Sequence, residues 1–169
     1  MSTSLRNNLL ISFSFFLCIS IDSFSFFSQL NEIKPSLVLL TLIYWNLALP
    51  EKMGIGFSIV VGLIYDILQG TLMGLYPFIF VIISYLFQRF FYQIRPMRLI
   101  QQSIIIFFLT LIVKFFLSID FNNSETGRLS LMDLNYFSLS LINALIHSVV
   151  WPVVFFGLRF YRRKWIKAQ

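Results

Sequence analysis

The chain alternates long apolar runs with short polar breaks. Six runs have the length and composition of membrane spans, at roughly 8–29, 36–50, 54–73, 75–94, 99–119 and 135–160. A helix needs about 20 mostly apolar residues to cross a bilayer. The second run, SLVLLTLIYWNLALP, is shorter and is bounded by Pro35 and Pro50. A helix that short thins the bilayer or hides among its neighbours. The break between the third and fourth runs is tight, around Gly70 and Gly74, so those two must form an antiparallel pair. The pattern predicts an all-α membrane protein, a compact bundle of about six transmembrane helices in a single domain spanning 1–169, with both termini cytoplasmic.

Composition points the same way. Hydrophobic residues make up 58% of the chain and charged residues 12%, with a mean hydropathy of +0.82. A soluble domain of this size has a large surface to cover with polar groups, and this one has too few. The net charge of +6 would suit a nucleic-acid binder, but the basic residues sit at the ends of apolar runs rather than along one surface. That distribution argues against nucleic acid and is what orientation in a bilayer requires.

The basic residues also set the orientation. With the N-terminus inside, the cytoplasmic segments hold ten of them: Arg6, Lys52, Arg89, Arg95, Arg98, Arg159, Arg162, Arg163, Lys164 and Lys167. The outer segments hold only Lys34 and Arg128, and Lys114 falls within the fifth run. This is a strong positive-inside bias. It favours an even number of spans, because five would put either Arg6 or the basic tail outside. Arg6 and the apolar stretch after it mimic a signal peptide, but Asp22 and Glu32 follow instead of a small-residue cleavage site, so the first helix reads as uncleaved.

Catalytic signatures are missing from the sequence. It has no Gly-rich phosphate loop, no paired metal-binding histidines and no Ser-His-Asp set at matching depth, so neither an enzyme nor a cofactor is expected. Cys18, the only cysteine, reads as a small apolar filler. The 21 phenylalanines read as lipid-facing bulk.

Ionisable groups inside spans are costly, and each is a candidate for function. Gly62, Asp66, Gly70 and Gly74 recur every four residues and form one stripe on a helix. Small residues there let another backbone approach, with Asp66 inside the contact. The stripe fits either a partner-docking seam or packing within the bundle. Counted along their helices, Asp66 lies roughly 18 Å and Lys114 roughly 20 Å above the cytoplasmic end. Asp22 and Asn143 fall in the same outer half, which predicts a polar network centred on an Asp66–Lys114 ion pair. His147 lies one turn from Asn143 and reads as a proton relay, a ligand or a hydrogen-bonding partner of a neighbouring helix. Trp151-Pro152 should kink the last span, since proline removes a backbone donor. Trp165 suits an interfacial anchor.

The run KPSLVLLTLIYWNLALPEKMGIGFSIVVGLIYDILQGTLMG resembles the bacterial rod shape-determining protein MreD family. The similarity rests on Pro35, Trp45, Leu47, Ala48, Leu49, Pro50, Gly56, Gly62, Asp66, Gly70 and Gly74, with Trp151-Pro152 and a basic tail also looking like that family. The resemblance implies a non-enzymatic inner-membrane subunit of the cell-elongation machinery, helping to organise peptidoglycan synthesis. The implied partners are an MreC-like scaffold protein, the actin-like MreB, the SEDS glycosyltransferase RodA and its transpeptidase. It also implies a six-helix fold similar to the substrate-binding subunits of energy-coupling-factor transporters. The alternative is a vitamin-binding transporter subunit, but such subunits present Ala-xxx-Ala motifs and this chain has only Ala48, Ala144 and Ala168. A proton-coupled carrier would rest on Asp66, Lys114 and His147 alone, without the repeats usual in transporters.

Overall fold

A computed structural model describes residues 3–23, 34–50, 52–71, 73–117 and 134–165. Among the described residues the fold is all-helical, in the order α1 (Thr3–Ser23), α2 (Leu37–Ala48), α3 (Ile55–Gln69), α4 (Leu75–Arg89), α5 (Phe91–Ile94), α6 (Leu99–Leu117) and α7 (Leu134–Trp165). The acidic segment with Asp120, Glu125, Arg128 and Asp133 lies outside the described residues, as do Glu32 and Lys167.

The short second helix is the centre of the molecule. All ten residues from Val38 to Leu47 are buried. A helix that is apolar all round has no face for water and packs inside. It contacts α1, α4, α5 and α7, and its Trp45 and Trp151 of α7 are both completely buried.

The outer helices each turn one narrow stripe inward. On α1 the stripe runs through Asn7, Ile11, Phe15 and Asp22, on α6 through Gln102, Ile106, Thr110 and Val113, and on α7 through Asn143, Ala144, His147 and Trp151. This three-to-four spacing is that of one helix face. The opposite faces are apolar and exposed, as at Phe16, Ile100, Phe108, Val149, Val153 and Phe160. Large apolar side chains thus face both inward and outward, and polar side chains such as Asn7, Asp22, Gln102, Asn143 and His147 lie among the buried ones. Two helices, α6 and α7, are long and apolar enough to cross a membrane, and α2, α3 and α4 are shorter apolar helices.

The tight break predicted between α3 and α4 is an antiparallel hairpin. Gly70 (φ +67°) and Gly74 (φ +107°) take left-handed backbone conformations, which a side chain resists. Gly62 makes the close approach. A Cβ built there would lie 2.5 Å from Pro77 Cα and 2.6 Å from Pro77 N. The inner part of the stripe therefore packs against α4 of the same chain, and its C-terminal glycines make the turn. Of the two readings left open by the sequence, internal packing is the one seen for Gly62. Gly56 is exposed and open. α7 passes through Pro152 as one unbroken helix of 32 residues.

Candidate functional site

The buried polar groups gather at helix ends. α2 begins half-buried at Ser36 and Leu37 and is fully buried from Val38, and the backbone N–H groups of its first turn have no partner within the helix. Side chains from two other helices, α1 and α7, and from Ser36 supply partners. The Asp22 carboxylate on α1 accepts from Leu37 N (3.1 Å) and Val38 N (3.0 Å). Ser36 Oγ accepts from Leu39 N (3.3 Å). His147 Nε2 on α7 accepts from Ser36 N (3.0 Å). Tyr65 of α3 closes the set, with its hydroxyl 3.4 Å from Asp22 Oδ2 and 3.2 Å from Ser36 Oγ.

Lys34 and Asn143 brace the approach to this turn. The Lys34 ammonium donates to the carbonyls of Ile21 (2.6 Å) and Asp22 (2.8 Å) near the end of α1, where the helix dipole favours a cation. Asn143 Nδ2 donates to the Lys34 carbonyl (3.1 Å). A cleft of about 220 Å³ opens beside these groups, and its lining includes Asp22, Lys34, Tyr65, Lys114, Asn143 and His147. The structure thus brings Asp22, Lys114, Asn143 and His147 around one space.

Asp66 is not among the residues lining that cleft. Its carboxylate, 1% exposed, accepts from Gly74 N (2.6 Å), Tyr76 N (3.0 Å) and Thr71 Oγ1 (3.0 Å). The network expected around an Asp66–Lys114 pair is centred instead on Asp22. The reason is local: the start of α4 presents its own unpaired donors two turns from Asp66, and a carboxylate is a strong acceptor for them. Both buried aspartates therefore do one job, each holding the first turn of a short helix.

A second polar cluster joins α2, α3 and α4 lower in the bundle. Asn46 Nδ2 donates to Leu42 O (2.9 Å) and Ser84 Oγ (3.1 Å), and Ser58 and Ser84 share a 2.6 Å bond. Gln88 Nε2 donates to Asn46 Oδ1 (3.0 Å) and to the Met53 carbonyl. Trp45 Nε1 donates to Ser14 Oγ (2.9 Å), and Trp151 Nε1 to Gln102 Oε1 (3.3 Å). Pro50 forms the turn after α2. At the far end of α2, Arg162 Nη1 of α7 lies 3.4 Å from the Ala48 carbonyl. Of these groups, Ser36 carried a sequence signal, a serine immediately before an apolar helical run. Asn46, Ser58, Ser84 and Gln88 carried none, being single polar residues within apolar stretches.

This arrangement suits holding helices together, and comparison with known proteins assigns it a context. A model of the family described as "rod shape-determining protein MreD" matches residues 3–161. The chain belongs to the MreD family. A curated relative, the rod shape-determining protein MreD of Haemophilus influenzae, is 26% identical over 132 residues, covering 78% of this chain and 77% of the relative. No solved structure matches. The MreD match covers every helix described above except the last residues of α7, so both buried aspartates, His147 and the glycine hairpin lie within it. Membership supports a role in determining rod shape, and the vitamin-transporter alternative gains no support.

Proposed function

We propose that the chain is a non-enzymatic, six-span subunit of the bacterial inner membrane that binds an MreC-like scaffold protein and helps organise peptidoglycan synthesis during cell elongation. The observation that carries this reading is the MreD family match over residues 3–161. The remaining partners would be MreB, RodA and its transpeptidase, reached through the same complex.

Two structural features support placement in a bilayer. Exposed apolar faces around a core that also holds hydrogen-bonded polar groups suit lipid as the solvent, because a bilayer offers outward-facing groups no hydrogen bonds. The direction of one helix pair also agrees with six crossings. The start of α2 meets His147 and its end meets Arg162, so α2 and α7 run parallel. Second and sixth crossings of a six-span chain have the same direction. On this reading Asp22, Asp66 and His147 lie toward the outer face, and Arg95, Arg159 and Arg162 toward the cytoplasm.

The test is affinity purification of the full chain from mild detergent, with mass spectrometry of the proteins retained. Recovery of an MreC-like protein with wall-elongation proteins is the expected result. Their absence, together with normal rod shape in cells depleted of this chain, overturns the reading.

A further inference from the structure

At the end of α2 opposite Asp22, a cleft of about 240 Å³ opens between α2, α6 and α7, and its lining includes Tyr44, Arg95, Gln102, Phe155, Arg159 and Arg162. Among the described residues the lining holds three arginines and no carboxylate. Arginine stays charged in any protein environment and presents its donors in a planar fork that fits phosphate oxygens. Arg95 and Arg159 are exposed, and Arg162 is partly buried against the Ala48 carbonyl, using one of its donors there.

Tyr44 gives the cleft a second, independent mark. It is 2% exposed, and its hydroxyl is buried with no hydrogen-bond partner among the described residues. Edge-on contacts with Trp45 (5.3 Å between ring centroids) and Phe155 (5.6 Å) hold the ring in place. Burying a hydroxyl unpaired is unfavourable, and phenylalanine would fill the same space without that cost. A phenol donor and three guanidinium groups facing one cleft together match a ligand with several anionic oxygens. Beside the cleft, α7 exposes Phe156 and Phe160, a surface on which acyl chains can lie.

We propose that this cleft binds the phosphate of an anionic phospholipid headgroup, with Tyr44 Oη and the guanidinium groups of Arg95, Arg159 and Arg162 as donors. The lipid as source rests on the membrane placement proposed above, where these residues reach the cytoplasmic leaflet. The phosphate chemistry does not depend on it.

The test uses the full chain purified in a neutral detergent, with binding followed by thermal shift and native mass spectrometry. Phosphatidylglycerol, phosphatidylcholine and inorganic phosphate are titrated separately. The parent should select phosphatidylglycerol. Tyr44→Phe and Arg159→Gln should each weaken it about tenfold, the effect of losing one hydrogen bond to a charged group. Arg163→Gln removes the same charge from an exposed position outside the cleft and should leave binding unchanged. Without lipid, Tyr44→Phe should melt at or above the parent temperature, because the hydroxyl has no partner to lose. Parent-like affinity in Tyr44→Phe overturns the proposal, and so does equal loss in Arg163→Gln, which would mean a diffuse surface field. Stabilisation by inorganic phosphate at the same occupancy overturns the lipid and leaves a site for soluble phosphate. Because binding is measured on the isolated chain, its failure leaves the partner reading standing, and the purification test above can fail without affecting it.

Discussion

His147 Nε2, on the last helix, accepts a 3.0 Å hydrogen bond from the backbone N–H of Ser36, the residue that opens the central helix. An N–H can only donate, so Nε2 must be unprotonated and the ring's proton must sit on Nδ1, which is 2.9 Å from the Asn143 carbonyl. One imidazole thus ties the backbone of its own helix to that of a residue 111 positions before it in the chain. The neutral ring meets both needs, and the protonated one would set a donor against the Ser36 donor.

Removing that acceptor should destabilise the bundle. His147→Ala leaves the half-buried Ser36 N–H without its acceptor, at a cost of about 1 kcal/mol. Thermal unfolding in detergent measures it. Nitrogen NMR of the parent should show the Nδ1–H tautomer. An Nε2–H tautomer would mean that the contact with Ser36 is not made.

Asp66 should be needed for folding through the α3–α4 turn. Asp66→Asn keeps one acceptor oxygen where three donors converge, and should cost about 1–3 kcal/mol. A Thr71→Ala variant in the same background should cost less than it does in the parent, because both residues belong to one network. Additive losses would show that Thr71 and Asp66 act separately.

Gly62 separates packing from docking. A methyl at Gly62 would meet the Pro77 backbone at 2.5 Å, which cannot rotate aside as a side chain can, so Gly62→Ala should lose about 1–3 kcal/mol by overpacking. Gly62→Leu should not accumulate in membranes. At Gly56 nothing lies within 4 Å of the new Cβ, and Gly56→Ala should stay within about 0.5 kcal/mol of the parent. Stable Gly62→Leu protein that loses only its partner would instead support a docking seam.

Topology is open to direct measurement. Reporter fusions near Arg95 and at Gln169 should read cytoplasmic, and one near Ser124 should read periplasmic. The motive is the clustering of basic residues in segments that six crossings place on one side. A periplasmic C-terminus would remove the six-span arrangement.

The helices were legible because their signals are local. Apolar runs bounded by Pro35, Pro50 and the Gly70–Gly74 break overlap α1, α2, α3, α4, α6 and α7, although their ends differ by up to six residues. The family was legible for a related reason. Its marks are clustered in two adjacent helices, where one stretch of chain carries the proline, tryptophan, glycine and aspartate positions together.

The partners of the polar groups were not legible in the same way. Counting residues along a helix gives the height of Asp66 and Lys114, but not which neighbour stands beside each or which way each faces. Height alone suggested that they pair. In the folded chain Asp66 meets donors only eight and ten residues ahead, because the glycine turn folds α4 back over it. Asp22 meets α2, and His147 reaches Ser36, because the first N–H groups of α2 have no partner within the helix. The sequence by itself determined where helices form, how apolar their outer faces are and which family they belong to, since these follow from composition and spacing. Which side chain completes which helix end was decided only by tertiary packing, since a buried donor is satisfied by whatever acceptor the fold brings within about 3 Å, however distant in the chain.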